Sequence, residues 1–366
     1  MTNSRLQTLY AIAEQAKVDA ITLIPGANLQ YITGMDFHLM ERPLVTFFVP
    51  GRDPVAVVPV LEQDRLAETG IPFEIFGWDD TEGPHKAFAA AAESLKLDGK
   101  LVGVEELRMR VMEAQLLEKY IPDVRIAAIG AQLAQLRLRK DANAIQAMRD
   151  AIRISQDALQ ATIEQIRPGI TEREITGLLV IEQLKRGGGK HPFEPIVLTG
   201  PRAALPHGEP GGRTPAIGEP DLIDFGTTSQ GYASDITRTF SFGAPSSQLA
   251  EIYEIVKAAN EAGRLAAKPG ATGQDVDRAT RKVIVEAGYG QYFTHRTGHG
   301  LGLETHEEPN MVEGSTLPLE PGMVFTVEPG IYLPDQVGVR IEDNVVITSD
   351  GAESLTTFSR DLIVVG

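Results

Sequence analysis

The sequence predicts an α+β protein in which a smaller N-terminal α/β domain, residues 1–130, precedes a larger pseudo-twofold domain, residues 131–366. The first observation is length, because 366 residues exceed one compact core and fit two domains. The second is the alternation of short β-type runs and amphipathic segments before residue 130. The third is a pattern of helix, Pro-Gly turn, helix and acidic hairpin that occurs twice in the remainder.

The N-terminal domain begins with a helical pattern over residues 1–16, where apolar side chains recur at helical spacing. The expected strands after it are residues 20–25, 29–34, 43–51, 54–60 and 101–106, and the expected helices are residues 84–96 and 111–119. Between two of these strands, the loop Gly34–Arg42 groups charged residues with His38. We interpret it either as a polar surface loop or as a contribution to a substrate pocket, its own or a partner subunit's.

The second domain contains an internal repeat. Each copy has a basic residue, Pro-Gly, an apolar residue, and a Thr-x-x-acid capping box that begins a helix. The copies are Arg167–Gly169 with Thr171-x-x-Glu174, and Lys268–Gly270 with Thr272-x-x-Asp275. The prolines are offset by 269 − 168 = 101 residues, and the acidic hairpins by 328 − 224 = 104 residues. Such a duplication predicts a pseudo-twofold domain whose acids converge near the axis.

Composition excludes several classes of protein. The chain has no cysteine, which rules out disulfides, thiolate zinc sites and cysteine nucleophiles and permits a cytoplasmic location. The net charge of −16 argues against a nucleic-acid partner, which needs a basic face. No apolar run approaches the length of a membrane span, and residues 1–20 lack the basic start and apolar block of a signal peptide. We therefore expect a cytoplasmic protein with no membrane partner.

Asp224 and Asp235 lie in two strand patterns joined by a short polar turn. A regular hairpin centred between Ser229 and Gln230 places these two residues directly opposite each other, with both carboxylates on one face. Two bare carboxylates in that position would repel each other and raise a pKa, and a cation between them would remove this cost.

Glu328 and Glu342 are expected to face each other in a second hairpin. Both are equidistant from Asp335, so an odd-length loop centred there places them opposite. Pro329 and Gly330 predict an irregularity in the strand just after Glu328. A strand acid followed by Pro-Gly has no evident structural purpose, which indicates a functional one.

His299 completes the candidate site. Its flanking glycines allow backbone and imidazole to approach other groups closely, and His295 and His306 share the same segment. Four carboxylates and one imidazole suit two ions of manganese, cobalt or zinc. Two such ions can share bridging carboxylates and a hydroxide, and metal-bound water is acidified enough to act as a nucleophile at neutral pH. The predicted reaction class is metal-assisted hydrolysis.

Five segments carry a resemblance to a known family: EPIVLTGPRAALPHG, SDITRTF, TGHGLGLETHE, TVEPGIY and VRIEDNVVIT. They resemble the pita-bread metallopeptidases, in particular the proline-specific branch with aminopeptidase P and Xaa-Pro dipeptidase (prolidase). The resemblance implies a creatinase-type α/β domain followed by a pita-bread catalytic domain. It also implies two divalent metal ions per subunit, manganese first and cobalt or zinc as alternatives, and a homodimer.

The same resemblance implies roles for individual residues. Asp224 would be the terminal ligand of one metal, Asp235 and Glu342 the bridging ligands, and His299 and Glu328 the ligands of the second metal. Glu328 would also carry a proton from the attacking water to the leaving amine. The remaining implied roles belong to His207 and His306 at the scissile peptide, His295 at the proline pocket, Arg340 at the substrate carboxyl end or behind the acids, and His38 in a substrate loop.

The predicted function is a metal-dependent exopeptidase that hydrolyses Xaa-Pro bonds through a dinuclear centre and a bridging hydroxide. A Xaa-Pro dipeptidase is placed first because the loop Asp36–Arg42 resembles a prolidase-type substrate loop. The alternative is aminopeptidase P, acting on longer Xaa-Pro-Yaa peptides. A creatinase-like hydrolase or a metal-free binding module would share the fold, and the five intact ligand positions argue against both.

Overall fold

The boundary between two parts of the chain falls after Arg137 in the computed structural model, which describes residues 2–366. The sequence placed this boundary after residue 130, inside a short helix, Gly130–Leu133. In the structure that helix stays with the first unit, because Leu133 and Leu136 are buried in one of its cores. The second unit begins at Leu138.

The first unit has one sheet with helices packed on both faces. Its strands are β1 Ala20–Leu23, β2 Val45–Phe48, β3 Val55–Pro59, β4 Glu74–Trp78, β5 Leu101–Val104 and β6 Arg125–Ala128. Its helices are α1 Thr2–Ala16, α2 Ala27–Thr33, α3 Val60–Ala67, α4 His85–Leu95, α5 Val111–Tyr120 and α6 Gly130–Leu133. The strand order is β4-β3-β2-β1-β5-β6. Strands β1, β2 and β3 pair antiparallel, and the outer pairings are parallel.

Side chains of β1 alternate between two apolar cores, as expected for a strand covered on both faces. Ile21 and Leu23 pack into the core that includes residues of α1 and α2, and Ala20 packs into the core that includes residues of α4 and α5. Both cores belong to the first unit alone. This arrangement is the predicted α/β domain.

The prediction of a strand over residues 29–34 was wrong, because this segment forms α2. Leu29 and Ile32 are three residues apart and buried together on one helical face. Gly34 ends the helix in the left-handed conformation, with φ 76°, and its N–H donates to Gln30 O. Four elements, α3, α6, β4 and β6, were not predicted. Strands β4 and β6 are partly exposed and lack a continuous apolar run.

The second unit contains two long helix pairs and several short sheets. The helices are α7 Ala142–Ile163, α8 Glu172–Lys185, α9 Ser247–Ala266 and α10 Gly273–Glu286. The strands are β7 Ile196–Thr199, β8 Pro220–Phe225, β9 Thr228–Ser229, β10 Tyr232–Ala233, β11 Ile236–Phe242, β12 Gly298–Gly300, β13 Glu307–Met311, β14 Val324–Val327, β15 Gly330–Leu333, β16 Val337–Arg340, β17 Asp343–Ile347, β18 Ala352–Ser354 and β19 Val364–Val365. The larger sheets have the orders β19-β11-β8-β7 and β13-β12-β14-β17-β18. Among the residues described, no helix is both long and apolar enough to cross a membrane.

The predicted repeat is present as two matching helix starts. Thr171 caps α8 and exchanges hydrogen bonds with Glu174, and Thr272 caps α10 and exchanges them with Asp275. Each pair forms a complete capping box, which satisfies N–H groups that a helix start otherwise leaves without partners. The element order helix, turn, capped helix and sheet therefore occurs twice in the second unit.

The register predicted for the first acidic hairpin was wrong by two residues. Asp224 pairs with Thr237 rather than with Asp235. The turn residues are Gln230 and Gly231, with φ values of 50° and 83°, so the hairpin is centred between them. Positive φ at both central positions is typical of a two-residue type I′ turn. Because a shift of two residues preserves the face of a strand, both aspartates still lie on the same face.

The register predicted for the second acidic hairpin was correct. Gly330 pairs with Arg340 in β15–β16, and Val327 pairs with Asp343 in β14–β17, so both ladders are centred on Asp335. The ladder is interrupted after Val327, at the predicted Pro-Gly irregularity, and it resumes at Gly330. The interruption leaves the two glutamates at the junction between two sheets.

Candidate metal centre

Five predicted ligands from different strands meet in one cleft of about 550 Å³ in the second unit. Each of them lies within a strand or at the end of one: Asp224 in β8, Asp235 before β11, His299 in β12, Glu328 after β14 and Glu342 before β17. Four of the five are buried, and Glu328 is half-buried. The strand ends thus place four acids and one imidazole in a mostly buried cluster.

Two glycines let β12 carry His299 into this cleft. A Cβ atom on Gly298 would lie 1.9 Å from Thr326 O, and one on Gly300 would lie 2.2 Å from Glu308 O. No side chain fits at such distances, so β12 can pass between β13 and β14 only with glycine at these positions.

The imidazole of His299 is oriented for ligation through Nε2. Its Nδ1 lies 3.1 Å from Gly300 O, a contact that requires a proton on Nδ1. Nε2 then carries the lone pair, and it lies 3.6 Å from Asp235 Oδ2 and 3.3 Å from Glu328 Oε1. Asp235, His299 and Glu342 each contribute one possible ligand atom, and these three atoms lie within 4.8 Å of one another. This group has the spacing and the chemistry to hold a divalent cation.

Two polar neighbours hold the acids Asp235 and Glu342 in place. Thr237 Oγ1 donates to Glu342 Oε2 at 2.7 Å. Asp235 N donates to Asn344 Oδ1 at 3.3 Å, and Asn344 Nδ2 donates back to Asp235 O. The sequence reasoning missed Thr237 and Asn344. They could have been found by strand periodicity, because each lies two residues after a predicted ligand and so on the same face.

Arg340 contacts three parts of the site through one guanidinium group. It donates to Asp224 Oδ2, to Thr237 Oγ1 at 3.1 Å and to Tyr332 OH at 2.7 Å. The side chain is buried, so these are the contacts that compensate its charge. They agree with the interpretation that Arg340 holds the acids, while its contact with a substrate stays a prediction.

Of the other predicted histidines, His295, His306 and His207 line the cleft of the metal centre, and His38 does not. His295 Nε2 is 2.8 Å from Tyr332 OH, which links it to Arg340; Tyr332 was not predicted. The rings of His306 and His299 are 4.2 Å apart, edge to face. His207 lines the same cleft and is exposed. His38 lies on an exposed loop of the first unit, and its substrate role stays a prediction.

Burial and mutual repulsion shift the pKa values of the acids upward. Burial, reinforced by Glu342, raises the pKa of Asp235 well above its usual range, and burial, reinforced by Glu328, does the same for Glu342. Burial raises the pKa of Glu328 to about 8, although Arg340 opposes the shift. Burial also lowers the pKa of His299 to about 3, so the imidazole is neutral and available as a ligand. Glu328 in the metal-free cluster therefore keeps a proton at neutral pH unless a cation replaces it.

Several carboxylate oxygens in the cluster lack a hydrogen-bond donor. Asp224 Oδ1, Asp235 Oδ1 and Glu342 Oε1 are buried and accept no hydrogen bond from any residue that the structure describes. Buried carboxylate oxygens without partners are costly, and a divalent cation satisfies them. These residues fit divalent metal ions of the hard or borderline type.

The pH dependence of metal binding follows from these pKa shifts. An acid with a raised folded-state pKa binds more protons when folded than when unfolded, so the free energy of unfolding of metal-free protein falls as pH rises between about 4.5 and 8. A metal replaces those protons, and its apparent affinity should increase by about tenfold per pH unit for each proton displaced. Thermal unfolding with and without manganese should therefore show a larger metal-induced increase in Tm at pH 8 than at pH 5.5. An equal increase at both values would contradict the protonated cluster.

Comparison with known proteins gives a consistent result. Residues 146–349 match the model of metallopeptidase family M24, and residues 5–139 match that of the creatinase/prolidase N-terminal domain. A Xaa-Pro dipeptidase of Lactobacillus delbrueckii subsp. lactis is 35% identical over 361 residues, 98% of each chain. The crystal structure of recombinant prolidase from Thermococcus sibiricus is similar with a TM-score of 0.95 at 33% identity, covering 100% of this chain and 99% of that one. An X-Pro aminopeptidase from Thermotoga maritima has a TM-score of 0.84 at 32% identity, covering 96% and 99%.

Proposed function

This chain belongs to metallopeptidase family M24, and we propose that it hydrolyses Xaa-Pro dipeptides with two divalent metal ions, manganese being the expected metal. The fold is the pita-bread fold with a creatinase/prolidase N-terminal domain. The observation that carries the proposal is the buried cluster of four carboxylates and one neutral imidazole, with carboxylate oxygens that have no other partner. A dipeptidase is favoured because the structural similarity to the prolidase is higher than that to the aminopeptidase.

Within this proposal the metal ions would be held by Asp224, Asp235, His299, Glu328 and Glu342. When bound, they supply a Lewis acid and an acidified water as the nucleophile. The residues of the chain then position the substrate and protonate the leaving nitrogen. Glu328 lies at the cleft surface of the cluster and is half-buried, so it can accept a proton from the attacking water and deliver it to the leaving nitrogen.

The proline preference has a physical basis. An Xaa-Pro bond releases a secondary amine, which must be protonated to leave, and the bond has no N–H to offer a peptidase. His306, edge-on to His299, and His207 at the cleft wall can donate hydrogen bonds to the oxygen where negative charge develops. His295, held by Tyr332, lines the cleft where the pyrrolidine would bind. Arg340 holds Asp224, one of the acids that would bind the metal, in place.

A cytoplasmic location and a homodimeric assembly are part of the same proposal. The dimer is an expectation carried by the family resemblance, and multi-angle light scattering of the purified protein tests it. Cell fractionation tests the location.

The function is tested with chelated protein assayed on Xaa-Pro and Xaa-Pro-Yaa peptides, with and without manganese, cobalt or zinc. We expect metal-restored cleavage of the dipeptides, with little or none of the longer peptides. Release of Xaa from the longer peptides as the preferred reaction would establish the aminopeptidase instead. Failure to cleave either peptide with any metal would reject both.

A further inference from the structure

A second cavity lies entirely within the first unit. Its volume is about 520 Å³, within the range of small-molecule sites, and it opens to solvent. All of its lining residues fall between Glu41 and Lys119, so no residue of the metal centre takes part. The repeat in the second unit does not account for it. Glu41 and Arg42 belong to the loop Asp36–Arg42, whose role in substrate binding stays a prediction.

The floor of this cavity is apolar. Pro43, Trp78 and Leu116 are buried there, and Met112 is half-buried. The only polar atom of the indole is already satisfied, because Trp78 Nε1 donates to Pro43 O at 3.2 Å. The ring can therefore offer apolar surface to an occupant, and the floor suits an aliphatic or aromatic group.

One part of the rim carries an excess of negative charge. Arg42 is bound by two acids at once: it donates to both oxygens of Asp80 at 2.8 and 2.7 Å and to Glu41 Oε1 at 2.6 Å. Two carboxylates share one guanidinium, so this group has a net charge of about −1 at neutral pH. Both acids are largely exposed, which leaves oxygens accessible to a cation.

Another part of the rim carries a positive charge. Lys119 is exposed, and its Nζ lies 5.2 Å from the ring centroid of Tyr120. In the part of the chain that the structure describes, this ammonium forms no ion pair with a carboxylate. On α5, Lys119 follows Met112, Gln115 and Leu116 at spacings that place all four on one helical face. The cation is therefore next to the apolar floor.

An apolar floor with an anionic group and a cation on its rim has a definite complement. We propose that this cavity binds a small zwitterion with an apolar side chain, either an amino acid or a dipeptide, with its ammonium group near Glu41 and Asp80 and its carboxylate near Lys119. None of the residues proposed for metal binding or proton transfer lines this cavity. If the peptidase function holds, molecules of this chemistry are also its substrates and products.

The chain provides its own reporter, since Trp78 is its single tryptophan. The full-length, metal-loaded protein is titrated with L-leucine and with leucyl-leucine while Trp78 emission is recorded, and chromatography checks the dipeptide for hydrolysis. We expect a saturable change in emission with at least one of the two. A response to the amino acid alone or to the dipeptide alone identifies the source of the ligand.

Matched variants and an uncharged analogue test the charge argument. Lys119→Gln should weaken binding by roughly tenfold or more, because a charge-assisted hydrogen bond to the carboxylate is lost. Lys100→Gln, an exposed lysine of the same unit that does not line the cavity, should bind as the parent does. N-acetyl-leucine amide, which lacks both charges, should give no saturable signal. Three results would overturn the proposal: no saturable change with L-leucine and none with leucyl-leucine, the same affinity in Lys119→Gln as in the parent, or binding of the uncharged analogue as tight as that of the zwitterion. Peptide cleavage is assayed separately, so a failure of the proposed peptidase function is distinguished from a failure of ligand binding at this cavity.

Discussion

Glu342→Gln should lose metal-dependent hydrolysis almost completely while the protein stays folded. The substitution keeps the shape of the side chain and its contact with Thr237, and it removes a negative charge from a buried cluster. An amide is a far weaker ligand than a carboxylate for a hard cation. We expect activity to fall by more than about 100-fold, the upper range for residues that only support a ligand. Asp235→Asn should behave in the same way.

The thermal stability of metal-free Glu342→Gln shows whether the substitution affects metal binding or folding. Burial and like charges raise the pKa of Glu342, so its ionised form is a cost to the metal-free fold. Glu342→Gln should therefore unfold at a Tm equal to or above that of the metal-free parent, and manganese should raise its Tm less. Glu353→Gln, an exposed acid paired with Arg149, serves as the control and should retain activity and metal response. Full activity in Glu342→Gln would reject the dinuclear arrangement.

The sequence predicted the identity of the clustered acids better than the register that positions them. The first hairpin was centred one residue too early, which put Asp235 opposite Asp224, where the structure has Thr237. The turn signal was in the sequence, because a glycine at Gly231 allows the two-residue turn with positive φ that fixes the centre. The face was still correct, since strand faces repeat every two residues.

Contacts among distant segments could not be predicted in this way. Tyr332 joins His295 to Arg340, and Arg340 reaches Asp224, 116 residues earlier in the chain. No local periodicity encodes such a contact, because it depends on how two sheets meet. The strand prediction for the segment that forms α2 was wrong for a related reason. A short apolar run fits a strand or a buried helix equally well, and tertiary packing decides between them.

Arg238→Met should destabilise the protein by about 3–5 kcal/mol, the usual cost of breaking a buried ion pair by removing one partner. The guanidinium and the carboxylate of Asp343 are both fully buried and lie 2.8 Å apart. Arg238 also donates to the carbonyl oxygens of Thr237, Glu342, Phe358 and Ser359. It therefore ties β11 to Glu342 and β17 and to the C-terminal segment at Phe358 and Ser359. Methionine replaces its stem but none of its donors.

Urea denaturation of the metal-free protein measures this effect without a contribution from metal binding. Arg278→Met is the matched control, because its ion pair with Glu313 is exposed and screened by water; we expect little change there. Asp343 keeps Arg360 as a partner at 2.6 Å in the Arg238 variant. The variant should therefore still fold, with a lower free energy of unfolding. If Arg238→Met were as stable as the control, the buried pair would not hold the strands together, and the position of Glu342 would have to depend on Thr237 and on the interrupted hairpin alone.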